Sequence, residues 1–423
     1  MLDLWTLDAQ YATWLRVELA ALAALEEVGE VPTGTTAVVS ARARIDRKRI
    51  QVWEAETGHD LVAFLWAVEE TTGPDGRWLH YGLTSSDVKD TALALLLVEA
   101  LDLVLKKVAH LQSTLLEIAT RHRDTEMLGR THGQWAALTT YGLKVLGWWD
   151  EGERVRDRLC RSRSGISVGK LSGAVGTHAY FPPQAEAKAL VSLGLRPCPV
   201  TTQVVSRDRH AEVLFALASA ASLVEKVALE VRHLSRSEVG EVAEGRPEGS
   251  SAMPHKKNPI LSERLCGLAR IVRAGVAPAL EDNVLWHERD MTHSSVERVL
   301  LPQAFCLVDY MLARVADLVS ELVVFPDRMR AHIAEARGLP LSEGLLLALV
   351  RAGMSRREAH GLVAHLADEA RAQGADLARV AEADPTVRRR LGPEELRTAC
   401  DPRLALGDAA AAFDRAREEG YTA

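Results

Sequence analysis

The chain has 423 residues, 47% of them hydrophobic, enough for two or three domains and a large buried core. A formal net charge of −7 gives no electrostatic reason to expect nucleic acid or an anionic membrane as partner, so a small molecule fits better. The five cysteines, Cys160, Cys198, Cys266, Cys306 and Cys400, are far apart, form no CxxC pair and leave an odd count. Neither a disulfide framework nor a zinc site is suggested, and a reducing cytoplasm is the expected home. The N-terminus lacks a basic segment followed by an apolar one, and no apolar run approaches bilayer length, so neither a targeting segment nor a membrane span is expected.

In chain order, the first strong signal is Thr84-Ser85-Ser86-Asp87, a capping-box pattern ahead of Val88 to Leu128, a stretch free of glycine and proline. Apolar residues at Leu101, Val104, Val108, Leu111, Leu115 and Ile118 follow a three-four alternation, which predicts a long helix beginning near Ser85. Its unpaired N–H groups would point at whatever lies before it. Thr201 to Val239 is likewise free of breakers, with Leu214, Leu217, Ala221, Val224, Val227, Val231 and Leu234 on one stripe, and predicts a second long helix. Ile260 to Pro326 reads as further helix, kinked or broken at Pro278 and Pro302.

Within that stretch Ser294-Ser295-Val296-Glu297 is another capping-box pattern, which would start a helix whose N-terminus faces an anion. Arg289 precedes it and Arg298 lies in its first turn. On one continuous helix these arginines would sit on opposite sides, so they converge only if the chain breaks near Ser294. From about residue 330 an alanine- and arginine-rich tail, with turns at Gly338-Leu339-Pro340 and Leu391-Gly392-Pro393, reads as a further helical segment. Helices this long are apolar around much of their circumference, and packing into a multi-chain bundle is the economical way to cover them.

Gly249 to Pro259 reads Gly-Ser-Ser-Ala-Met-Pro-His-Lys-Lys-Asn-Pro: hydroxyls, a cation pair and an amide on a loop able to surround an anion. This stretch resembles the signature of the fumarase/aspartase superfamily, and Ala252 with His255 makes it most similar to the adenylosuccinate lyase branch. Family-like segments recur in order at Trp78 to Asp87, Gly129 to Gly133, Lys170 to Thr177, Gln203 to His210 and Trp286 to Asp290, covering roughly the whole chain. The resemblance implies an all-α fold of three mostly helical domains, drawn at 1–84, 85–329 and 330–423. The long central helices would form a multi-subunit bundle, in a homotetramer with active sites shared between chains.

It also implies the chemistry: β-elimination of fumarate from an N-succinyl substrate, adenylosuccinate and the related succinyl-carboxamide ribonucleotide first among them. No metal or organic cofactor is implied. Ser250 would be the base, Lys256 would stabilise the developing carbanion, Asn258 would orient the same carboxylate, and His132 would protonate the leaving nitrogen. Thr84 and Ser85 would hold the other carboxylate at the helix mouth. Arg289, Ser294 and Arg298 would take a phosphate, while His59, Asp60, His80, Thr131 and Gln203 would line the substrate.

Alone, Lys256-Lys257 is a solvated charge pair and His132 an ordinary structural histidine; it is the ordered set that reads as a site. Gly165 to Leu171 lacks the spacing of a phosphate-binding P-loop. The family's usual N-terminal Arg-Tyr pair is missing, and Gly58 stands where arginine is typical. The elimination chemistry is therefore specified more closely than the leaving amine, and a paralogous lyase acting on another N-succinyl compound remains the alternative. A non-catalytic helical assembly is a third reading, opposed by the retention of Ser250, Lys256, Asn258 and His132.

Overall fold

The computed structural model describes residues 1–249 and 252–418 and is mostly helical, with four two-stranded ladders among the described residues. Packing divides the chain into two units: residues 1–109, 154–225 and 265–313 form unit one, and residues 110–153, 226–264 and 314–423 form unit two.

In unit one the core joins the N-terminal helices to the start of the first long helix. Tyr11 and Trp14 of the helix Leu7–Glu27 pack on Phe64, with ring centroids 5.7 and 5.6 Å away. Val88, Ala92, Leu190 and Leu195 are buried in the same cluster. Unit two has a separate core in the C-terminal segment, around Leu345, Leu349, Val363, Leu366 and Leu377.

The helix Ser85–Arg121 starts where the capping pattern places it: the Thr84 N–H donates to Asp87 Oδ2 at 2.8 Å. Its stripe Leu101, Val104, Val108, Leu111 and Leu115 is buried. The helix stops at Arg121 instead of continuing to Leu128, because Glu126–Thr131 (β1) pairs antiparallel with Gln134–Thr140 (β2). Gly142 permits this turn. A Cβ there would stand 2.4 Å from the Ala119 carbonyl oxygen and 2.6 Å from that of His122, so the chain can recross the helix end only with glycine.

The second long helix is Asp208–Leu234, shorter at both ends than the breaker-free stretch. Residues ahead of it are held by Asp90, which accepts the Val205 N–H at 2.8 Å and pairs with Arg207. The stretch from Ile260 splits into helices Ile260–Ala274, Val276–Glu281 and Thr292–Ser320. The main break is thus residues 282–291, and Pro302 is accommodated inside the last helix, where its missing N–H leaves the Arg298 carbonyl without its usual helical donor.

Against the sequence reading, Thr292–Ser320 is long and apolar enough to cross a bilayer. Phe305, Val308, Met311, Leu312 and Val315 on it are core residues, and a core helix meets the same length and composition test.

Candidate active site

In unit one, the mouth of the Ser85–Arg121 helix is built on Asp87. Its fully buried carboxylate accepts N–H groups from Thr84 (2.8 Å), Ser172 (3.1 Å) and Gly173 (3.1 Å) and is ion-paired with the equally buried Lys170. One carboxylate therefore ties the Thr84 turn to the Lys170–Gly173 segment. The two segments line a cleft of about 540 Å³ with Tyr81, Val175, Thr177 and Tyr180. Gly82 (φ 72°) is required here, since a Cβ would meet the Tyr180 carbonyl oxygen at 2.3 Å. The first-turn N–H groups and the hydroxyls of Thr84 and Ser85 make a place for a carboxylate.

His59 caps the helix Asp60–Thr72, its Nδ1 accepting the Val62 N–H at 3.4 Å. In the neutral ring the proton then resides on Nε2, 3.4 Å from Ser85 Oγ. Asp60 pairs with Lys89 at 2.5 Å; burial opposes its ionisation, but the Lys89 contact outweighs that and holds the carboxyl below its ordinary range. His80, in a left-handed conformation (φ 61°), is clamped by the buried Glu18: backbone N–H to Oε2 at 2.8 Å, Nδ1 to Oε1 at 2.7 Å. Burial pulls its pKa down, yet Glu18 raises it above the ordinary histidine value on balance.

Arg289, Ser294 and Arg298 line one cavity of about 220 Å³, together with Trp5, Trp14, Asp60, Lys89, Arg207 and Glu297. The convergence comes from the break before Thr292, as the helical geometry required. The capping assignment is corrected, however. Asp290 holds the chain end, accepting the Thr292 N–H and the Trp286 N–H at 2.8 Å each, and these bonds with the Thr292 hydroxyl pull its pKa to about 2. Glu297 is instead a buried partner of Arg207, 3.0 Å away.

Arg207 also pairs with Asp90 at 2.8 Å. One cation cannot neutralise two carboxylates: Asp90 stays low, whereas burial and the neighbouring Asp90 and Asp282 push Glu297 up to about 7 despite Arg207. Gln203 accepts from Arg289 Nη1 at 3.0 Å, which places it at this cavity's edge.

In unit two, His132 and Gly133 form the two-residue tip of the β1–β2 hairpin, both with positive φ (54° and 75°), the pattern of a type I′ turn. Thr131 and His132 are exposed. The hairpin is anchored by Arg130, which forks onto Glu241 at 2.9 and 2.8 Å, and Glu241 also takes His332 Nδ1 at 2.6 Å. The signature loop is closed by a short ladder pairing Glu248 with Asn258 and Gly249 with Lys257. Lys256 is exposed and Asn258 half-buried, while Ser250 lies outside the described residues. Among the described residues no group of three or more His, Cys, Asp or Glu is placed to hold a metal ion.

The sequence reading missed Asp87, Lys170, Lys89, Arg207 and Glu297 as supports of the site. Lys89 had a signal: it lies one helical turn beyond Ser85 and so shares its face. Arg207 had none, since its carboxylates are 117 and 90 residues away in the chain.

The fold is mostly helical, with a charge-lined cavity in unit one. The family described as Lyase matches residues 6–274, and the family described as Adenylosuccinate lyase C-terminus matches residues 338–416. Adenylosuccinate lyase of Thermotoga maritima is 48% identical over 366 residues, 86% of this chain and 85% of that one; the Bacillus subtilis enzyme is 42% identical over 98% of this chain and 97% of its own. Among solved structures, fumarate lyase from Mesorhizobium sp. BNC1 superposes with a TM-score of 0.90 at 28% identity, covering 98% of this chain and 96% of that one. A 3-carboxy-cis,cis-muconate lactonizing enzyme from Pseudomonas putida superposes at 0.87 and 30%, covering 99% and 96%. The chain belongs to the adenylosuccinate lyase family, and its activity is that of a carbon–nitrogen lyase.

Proposed function

We propose that the chain releases fumarate from adenylosuccinate, leaving AMP, and performs the same cleavage on the succinyl-carboxamide ribonucleotide of purine biosynthesis. The observation that carries this reading is the cavity shared by Arg289, Ser294 and Arg298, a cationic and hydroxyl-bearing place for a nucleotide phosphate. Ser250 takes the proton from the succinyl carbon next to a carboxylate, Lys256 and Asn258 hold the charge that forms there, and the C–N bond breaks as His132 delivers a proton to nitrogen. Thr84 and Ser85 hold the second carboxylate; His59, Asp60, His80, Thr131 and Gln203 complete the lining.

The active form is a cytoplasmic homotetramer whose sites draw residues from several copies, each chain having the three segments 1–84, 85–329 and 330–423. Apolar side chains left in solvent on long helices support the assembly: Phe215 is 53% exposed, Ile271 47% and Val299 59%. Gly58 favours a second reading, a relative acting on another N-succinyl compound. It adopts the left-handed conformation (φ 65°) that closes the helix Arg47–Thr57, a place where an arginine would be strained.

Fumarate release measured across a panel of N-succinyl compounds decides between the two. With adenylosuccinate as substrate, Arg298→Ala is expected to lower kcat/KM about ten- to a hundredfold by loss of a charge-assisted contact. Ready cleavage of a phosphate-free compound, with poor cleavage of adenylosuccinate, overturns the purine assignment.

A further inference from the structure

We propose that Lys89 is a specificity-determining residue for the leaving group, supplying a cation to the phosphate cavity. The inference rests on the purine reading above and concerns a residue that reading does not use.

The cavity wall carries four cations, Lys89, Arg207, Arg289 and Arg298, against three carboxylates, Asp60, Asp90 and Glu297. Arg207 is consumed: it is 2% exposed and forks between Asp90 and Glu297. Arg289 gives Nη1 to Gln203, and its buried Nε has no partner. Among the described residues Lys89 has a single carboxylate contact, Asp60 at 2.5 Å, so an ammonium with three donors keeps two for a ligand.

Its position is set by the fold. Lys89, Leu93 and Leu96 lie on one face of the Ser85–Arg121 helix, and all three line the cavity. The ammonium sits 5.6 Å from the Trp14 ring centroid, which with Asp60 limits its rotamers. Lys89 also cancels Asp60, a carboxylate that would otherwise repel a phosphate from the same wall.

The test compares AMP with adenosine, since the ratio of their affinities for the full-length protein isolates the phosphate. Lys89→Met should weaken AMP about ten- to a hundredfold, the range for one charge-assisted contact, and leave adenosine binding and inhibition by fumarate within about threefold. Lys89→Arg should keep most of the AMP affinity. If Lys89→Met leaves AMP binding intact while Arg298→Ala loses it, the phosphate site stands and the role of Lys89 is overturned. Equal losses of AMP and adenosine overturn it too, as the mark of a merely structural lysine. Wild-type protein that binds AMP no better than adenosine overturns the phosphate reading itself.

Discussion

Unit one and unit two hold their candidate residues differently. In unit one His80 is clamped on buried Glu18, Asp60 on Lys89, Gln203 on Arg289, and the Thr84 turn hangs on the buried Asp87–Lys170 pair. In unit two His132 stands at an exposed hairpin tip and Lys256 on an exposed loop; the hairpin is anchored two residues before His132, where Arg130 pairs with Glu241. The candidate groups of unit one are thus held by partners within their own unit, whereas His132 and Lys256 of unit two lie exposed.

The largest effect that sharpens this contrast is catalytic. His132→Gln and Ser250→Ala should each lower kcat by about 10²–10⁴ while leaving helical content and unfolding midpoint unchanged. If sites draw the two residues from different chains, mixing the inactive variants under subunit-exchange conditions should restore activity. Near-normal turnover in either variant would remove the roles proposed for them, and a loss of stability in His132→Gln would dissolve the contrast between the units.

The sequence carried the local part of this picture. Thr84 to Asp87 located a helix start because a capping box is complete within four residues, and the stripe from Leu101 to Leu115 located its buried face because periodicity is local. What it did not carry is decided by distant partners. Leu128 lies in a strand because β2 and Gly142 are available to turn the chain, and Glu297 is an ion-pair partner because Arg207 reaches it. The Ser294 pattern satisfied a capping motif as sequence, yet Asp290 four residues earlier took the helix end. The fork from Arg207 to Asp90 and Glu297 has no signature of spacing at all.

That fork gives the second test. Arg207→Met would leave Asp90 and Glu297 buried without their cation, and breaking such a pair costs about 3–5 kcal/mol. Denaturant unfolding should show the loss, in contrast to the unchanged stability expected of His132→Gln. A Met variant as stable as the parent would mean that the site in unit one is no more rigidly built than the hairpin tip.

The smallest effect is a dependence on pH. Glu297 is pushed up to about 7 in the folded protein against an ordinary value of 4.5, because burial disfavours its charge and Asp90 and Asp282 add like charge that Arg207 does not offset. Between those values the folded chain holds a proton that the unfolded chain has released, so this group's contribution to stability falls as pH rises from about 5 to about 7 and is level above that. His210 and His293, pushed down by burial to about 3 and about 4, slope the other way from about pH 4 to 6.5 in parent and variant alike, and their effect cancels in a difference. Glu297→Gln keeps the shape and an acceptor for Arg207 without a titrating proton. Its stability relative to the parent should therefore improve by about 1–3 kcal/mol between pH 5 and pH 8, measured by denaturant unfolding at each pH. Parallel profiles for the two proteins would show that Arg207 keeps both carboxylates ionised, and that the cavity wall carries one more negative charge than proposed.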